Sequence, residues 1–203
     1  MKKIATLSAE DVMRSWIRAE MKSSRFKKNI RSSLNLSNLE SLNFRQLKSV
    51  LSSYRKDLSF FQWKSVKWSM FEAKAIDISK LRTTEGYWIA FSGGSRSVKD
   101  AADFIKTLKP DDDPRVVSES ILKSINNDSK ELEPIISIKL SAVEPVIIEG
   151  HARSIAYCWH SETNPNHKIK LIIGEPSDKF PEDFSSRGYN LQEIREYFLN
   201  SRC

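Results

Sequence analysis

The sequence predicts an α+β fold, with a small mixed sheet and flanking helices that follow a basic helical segment. Apolar residues recur at helical spacing through the first 64 residues of the 203-residue chain. Short β-branched runs then occur at 134–140, 146–149 and 169–173, separated by helical patterns. We therefore divide the chain into a basic helical segment, residues 1–64, and an α+β domain, residues 65–203.

Composition restricts the class of protein. A 39% hydrophobic content with mixed charge favours a folded chain over disorder. The two cysteines, Cys158 and Cys203, form neither a disulfide framework nor a metal-ligand spacing, which fits a reducing compartment. The apolar start Met1–Leu7 is cut short by Ser8 and Glu10, and no segment has the length of a membrane span. We expect a cytoplasmic protein with no membrane contact.

Positive charge is concentrated near the N-terminus. The net charge is +7, but residues 1–70 hold 15 basic and five acidic side chains, and the remaining 133 residues hold 18 and 21. Such an asymmetry is typical of a chain that binds DNA or another polyanion through its basic part. The alternative is that these side chains form the solvated face of amphipathic helices. The candidate nucleic-acid contact is the basic run Lys22, Arg25, Lys27, Lys28 and Arg31.

Two helices are predicted in this segment. Ser8 and Asp11 form a capping-box start, and a second apolar pattern at helical spacing begins after Asn43. Behind these helices, aromatic residues alternate with lysines between Phe60 and Trp68. That combination suits base stacking or, equally, packing of helices on a sheet.

The middle of the chain changes to strand patterns. Val66 to Met70 alternates as a half-buried strand, Ala75–Ile78 continues the same layer, and Tyr87–Phe91 is a short apolar strand. The turn at 92–96 carries two glycines and an arginine, which makes it a second candidate phosphate nest or an ordinary turn into the helix that Ser97 caps.

The following loops offer two weaker metal candidates. The three aspartates of Pro110–Pro114 are either a Mg²⁺ site or a solvated linker between helices. His160 and His167 bind a metal only if the fold brings them together, and surface histidines are the alternative. A last helix is predicted to begin at Asn190.

The most informative stretch is Val146–Trp159, where a β-branched strand leads through Gly150 into a helical pattern. A helix start exposes unpaired N–H groups and about half a positive charge, so it attracts anions. Arg153 lies in the first turn, where its charge opposes the helix dipole. A bound phosphate would make the position of this arginine electrostatically favourable.

The residues Glu149-Gly150-His151-Ala152-Arg153 resemble the Gly-x-x-Arg box of the ParB/sulfiredoxin superfamily, and their form is most similar to its free serine kinase branch. Two departures separate the chain from other branches. His151 occupies the place of the sulfiredoxin catalytic cysteine, and Ala152 that of a further ParB arginine. We therefore expect neither sulfinic acid repair nor a full partition protein.

This resemblance implies ATP or CTP, bound with Mg²⁺. Gly150, His151, Arg153 and Ser154 would bind the nucleotide, Glu149 would hold the metal, and Glu149 with His151 would carry out catalysis. The expected activity is nucleotide-dependent phosphotransfer or nucleotide hydrolysis, by a kinase-like enzyme, an ATPase or a CTPase. The alternative function is a DNA-binding module or nuclease in which a nucleotide is a switch or is absent. A purely structural alternative is that Arg153 pairs with Glu149 itself.

Overall fold

A five-stranded mixed sheet is the centre of the computed structural model, which describes residues 1–22, 36–54, 63–83, 86–127, 132–139 and 144–176. The strand order is β1-β2-β5-β3-β4. The strands are β1 (Lys2–Leu7), β2 (Val66–Lys74), β3 (Ile135–Ile138), β4 (Val146–Glu149) and β5 (Lys168–Pro176).

Both strand directions occur in this sheet. β1 pairs with β2, β2 with β5 and β3 with β4 in antiparallel fashion, whereas β3 and β5 are parallel. The β2–β5 ladder is the longest, since it runs from the Val66–Pro176 pair to the Lys74–Lys168 pair. The predicted α+β class with a mixed sheet and flanking helices is confirmed.

The described helices all lie between β1 and β5 along the chain. They are α1 (Ala9–Lys22), α2 (Leu36–Leu39), α3 (Phe44–Tyr54), α4 (Ala75–Ile78), α5 (Gly86–Phe91), α6 (Val98–Thr107), α7 (Asp113–Asn126) and α8 (His151–His160), with a 3₁₀ turn at Trp63–Ser65. In the ranges that the structure describes, no helix combines the length and the apolar character needed to cross a membrane.

Apolar side chains cover both faces of the sheet. On one face, α1 and α3 pack around Trp16, Trp63 and Trp68, and the ring centroids of Trp63 and Trp68 are 5.9 Å apart. On the other face, α4 to α8 pack against strand residues that include Ile147 and Leu171. Because neighbouring residues of the central strands point to opposite faces, burial on both sides explains their continuous β-branched runs.

The expectation of an entirely helical N-terminal segment is wrong at Lys2–Leu7. These residues form an edge strand on β2, and α1 then packs into the same apolar cluster as Trp68 and Ile172. The short run has no helical apolar period, so its pairing with β2 decides its conformation. The predicted capping box is confirmed, since Ser8 and Asp11 exchange backbone–side-chain hydrogen bonds of 3.0 and 3.1 Å.

Two predicted strands are helices instead. Ala75–Ile78 is a short helix, because the carboxylate of Asp77 accepts the backbone N–H of Lys74 at 3.0 Å and ends strand β2. The apolar run before the Gly-Gly turn forms α5, which places Trp88 and Phe91 on one helical face with ring centroids 5.8 Å apart. The prediction that Ser97 caps the next helix is confirmed.

Candidate functional site

Gly150 joins β4 to α8 in a left-handed conformation, with φ 99° and ψ 26°. A side chain at this position would be strained by the backbone angle and crowded by its surroundings. An added Cβ would lie 2.9 Å from Nη2 of Arg153 and 3.3 Å from Cα of Ile135. The predicted change from buried strand to helix at this glycine is confirmed, and the glycine is required by both its conformation and its contacts.

The Arg153 guanidinium lies against Gly150 and is held by two acceptors. Its Nη2 donates to Oε1 of Glu149 at 3.1 Å and to the carbonyl of Pro134 at 3.2 Å. The side chains of Arg153 and Glu149 are 13% and 15% exposed. The structural alternative for this arginine, an ion pair with Glu149, is therefore present. The carboxylate offsets the repulsion between the arginine and the positive end of the helix.

One donor of this guanidinium has no acceptor. Nε of Arg153 is buried and has no hydrogen-bond partner among the residues that the structure describes. A buried donor without an acceptor costs about 1–3 kcal/mol relative to a paired one. An anion that reached Arg153 would supply this acceptor.

His151 and Ser154 are held inside the protein. The His151 ring is 6% exposed and stacks on Trp88, with centroids 5.6 Å apart and 12° between the planes. Ser154 is fully buried, and it donates its hydroxyl to the carbonyl of His151 and its N–H to that of Gly150. The bond from Ser154 to Gly150 is the first backbone hydrogen bond of α8.

The segment that contains Arg82 and Thr83 brings the Gly-Gly turn beside strand β4. Arg82 forms isolated bridges to Val146 and Ser97, and its carbonyl accepts the N–H of Ile147 at 2.8 Å. Thr83 donates its N–H to the carbonyl of Arg96 at 2.8 Å. Arg82 and Trp88 contact β4 and α8 over a long distance in the chain, so these contacts have no local signature in the sequence that could have predicted them.

The Gly-Gly turn is not arranged as a phosphate nest. Gly93, Gly94 and Arg96 have positive φ, but the backbone N–H groups of residues 93–98 all donate to acceptors within the protein. An anion would have to displace these hydrogen bonds. The alternative of an ordinary turn is the one observed.

Of the predicted polyanion contacts, only Lys22 lies in a described part of the chain. Its ammonium is 2.9 Å from Glu133, and this side chain is 55% exposed. Arg25, Lys27, Lys28 and Arg31 lie outside the described residues. DNA binding through this run stays a prediction, as does the last helix, which also lies outside them.

His160 and His167 do come together, since their ring centroids are 4.7 Å apart at 84°. The expectation of surface histidines is wrong for His160, which is 7% exposed and donates from Nδ1 to Oδ1 of Asn126 at 2.9 Å. The described residues contain no group of three or more His, Cys, Asp or Glu side chains that could hold a metal ion. In the other metal candidate, the acidic loop at Pro110–Pro114, the carboxylate of Asp112 accepts the N–H of Lys109 at 2.9 Å.

Comparisons of the chain with protein-family models, curated proteins and solved structures gave no match. The chemical interpretation of the site therefore rests on the geometry of Gly150, Arg153 and their neighbours.

Proposed function

We propose that the protein is a nucleotide-binding protein with a ParB/sulfiredoxin-like fold, and that it binds the phosphates of ATP or CTP at the start of α8. The observation that carries this proposal is the position of the Arg153 guanidinium, which lies against Gly150, the residue before the helix, with its Nε buried and without a partner among the described residues. Charged donors and helical N–H groups thus occur side by side, as anion recognition requires.

Phosphate binding would replace the ion pair between Arg153 and Glu149 by an ion pair between Arg153 and the phosphate. Arg153 would exchange the carboxylate of Glu149 for two phosphate oxygens, a bidentate arrangement that suits its planar group. The absence of a side chain at Gly150 leaves the space in which the Arg153 guanidinium lies beside the start of the helix. The helix dipole, which Arg153 opposes in the free protein, would then favour the bound anion.

The exchange would free Glu149 for chemistry beside the phosphates. The carboxylate, 15% exposed, would hold Mg²⁺ or accept the proton of an attacking water or hydroxyl. In hydrolysis, the water oxygen forms a bond to the terminal phosphorus, the bond to the bridging oxygen breaks, and the nucleoside diphosphate leaves. His151, held by Trp88, would contribute an imidazole N–H to the phosphates or act as the second proton carrier.

Binding is tested with a fluorescent ATP or CTP analogue and Mg²⁺, measured by anisotropy on the full chain. We expect saturable binding in the range of ordinary nucleotide enzymes, below about 1 mM. Arg153→Ala should weaken it at least about tenfold, because one bidentate charge-assisted contact is lost. Arg45→Ala is the matched control, since Arg45 is an exposed arginine on α3, which packs on the opposite face of the sheet from α8. Absence of saturation, or an equal loss in both variants, would refute the proposal.

Catalysis is tested separately by the release of phosphate from ATP and CTP, with and without a serine-like hydroxyl acceptor. We expect Glu149→Gln to abolish turnover and to retain nucleotide affinity within a few fold, because the amide keeps the shape but cannot accept a proton. Turnover that is unchanged in Glu149→Gln would remove Glu149 from the chemistry and leave binding as the function.

A further inference from the structure

A second candidate site lies at the other end of α8. An open cleft of about 450 Å³ is lined by the C-terminal part of α6, one face of α7, the last residues of α8 and the turn that follows α8. Its size is in the range of small-molecule sites, which are about 300–1,000 Å³. None of the motifs in the sequence pointed to it.

The charges around the cleft are mostly neutralised, with one exception. Lys106 forms an ion pair with Glu162, and Arg115 forms one with Glu119 at 2.8 Å. Lys123 also lines the cleft, and in the described ranges of the chain it has no ion pair. The cleft therefore presents one uncompensated positive charge.

The other lining residues are apolar or already hydrogen-bonded. Trp159 and Leu122 contribute apolar surface, and the indole N–H of Trp159 donates to the carbonyl of Ala102 at 3.0 Å, which holds the ring in place. Asn126 and His160 bond to each other at 2.9 Å. The apolar surface of Leu122 and of Trp159, which is 7% exposed, lies beside this unpaired cation, and the combination suits a ligand that has an apolar part and one negative charge.

We propose that this cleft binds a small organic anion, with its planar apolar part against Trp159 and Leu122 and its acidic group paired with Lys123. The site is separate from the start of α8, and its existence does not depend on the nucleotide proposal. Binding would desolvate the apolar surface, and the ion pair would orient the ligand.

The experiment uses the full chain and two fluorescent probes with the same rings, 8-anilinonaphthalene-1-sulfonate and its uncharged analogue N-phenyl-1-naphthylamine. We expect saturable binding of the sulfonate, and a threefold to tenfold loss of its affinity in Lys123→Gln, a range of about 0.7–1.4 kcal/mol. Binding of the uncharged probe should change by less than about twofold, because only the ion pair is removed.

Lys109→Gln is the matched control, since Lys109 is an exposed lysine near the end of α6 that does not line the cleft. Leu122→Asn should weaken the binding of both probes. If Leu122→Asn fails to fold, Lys123→Gln still tests the proposal, because Lys123 is exposed. The assignment is overturned if Lys123→Gln and Lys109→Gln have equal effects, or if Arg153→Ala weakens the sulfonate as strongly as Lys123→Gln does.

Discussion

Replacing Gly150 by alanine would place a methyl group where the Arg153 guanidinium lies. The new Cβ would be 2.9 Å from Nη2, closer than carbon and nitrogen atoms approach without a bond. Two costs follow. A left-handed backbone costs a non-glycine residue about 1–2 kcal/mol. Displacing the guanidinium weakens its bonds to Glu149 and Pro134, at about 1–2 kcal/mol. We expect a total loss of about 2–4 kcal/mol in the free energy of unfolding.

Gly94→Ala separates the two costs. Gly94 also has a positive φ, 86°, but an added Cβ would meet no atom within 4 Å. This variant should therefore lose only the backbone contribution, about 1–2 kcal/mol. Urea denaturation at equilibrium gives both values, with an unchanged m-value as the sign that the denatured state is the same.

A double-mutant cycle tests the contact itself. In an Arg153→Ala background the guanidinium is absent, so Gly150→Ala should cost less than in the wild type, and the cost that remains comes from the backbone conformation and the 3.3 Å contact with Cα of Ile135. The coupling energy between residues 150 and 153 should then be about 1–2 kcal/mol. The reasoning is refuted if Gly150→Ala costs no more than Gly94→Ala in the wild type, or if the coupling is zero.

Three further predictions concern the fold. Gly174→Ala should lower stability by about 1–3 kcal/mol in urea denaturation, because its Cβ would lie 2.5 Å from the Trp68 ring, and an unchanged midpoint would contradict this packing. A hydrogen bond from Ser8 lowers the pKa of Asp11, so the stabilisation of the fold by this carboxylate is present above the ordinary pKa of 3.8 and is lost as the pH falls through the folded-state pKa. The difference in the free energy of unfolding between the wild type and Asp11→Asn should therefore disappear at acid pH, and a constant difference would refute this. Burial raises the pKa of the Cys158 thiol to about 11. In a variant without the C-terminal cysteine, iodoacetamide at pH 8 should therefore modify Cys158 only after the protein unfolds. Rapid labelling of the native protein would contradict this, because it would show that the thiol is accessible to solvent.

Local patterns predicted much of the architecture. The capping box at Ser8 and Asp11 and the cap at Ser97 depend on interactions within a few residues, so the sequence contained them in full. The predicted α+β class followed from β-branched runs, because strands buried on both faces have such continuous apolar character.

The errors occurred where distant residues compete with local preference. Lys2–Leu7 pairs with the edge of β2, and in the helix that contains Trp88 the ring of that residue stacks on His151. Short apolar runs satisfy either period, so only the partner decides between them.

The sequence alone determined the class of fold, the strand-to-helix junction at Gly150 and the position of Arg153 in the first turn of a helix. The tertiary structure decided what that arginine contacts, since the carbonyl of Pro134 and the absent Cβ of Gly150 meet it through strand pairing and not through sequence spacing. It also decided the cleft around Lys123, which three helices form together. Burial and contact depend on which segments meet in space, and chain order carries that information only where the segments are neighbours.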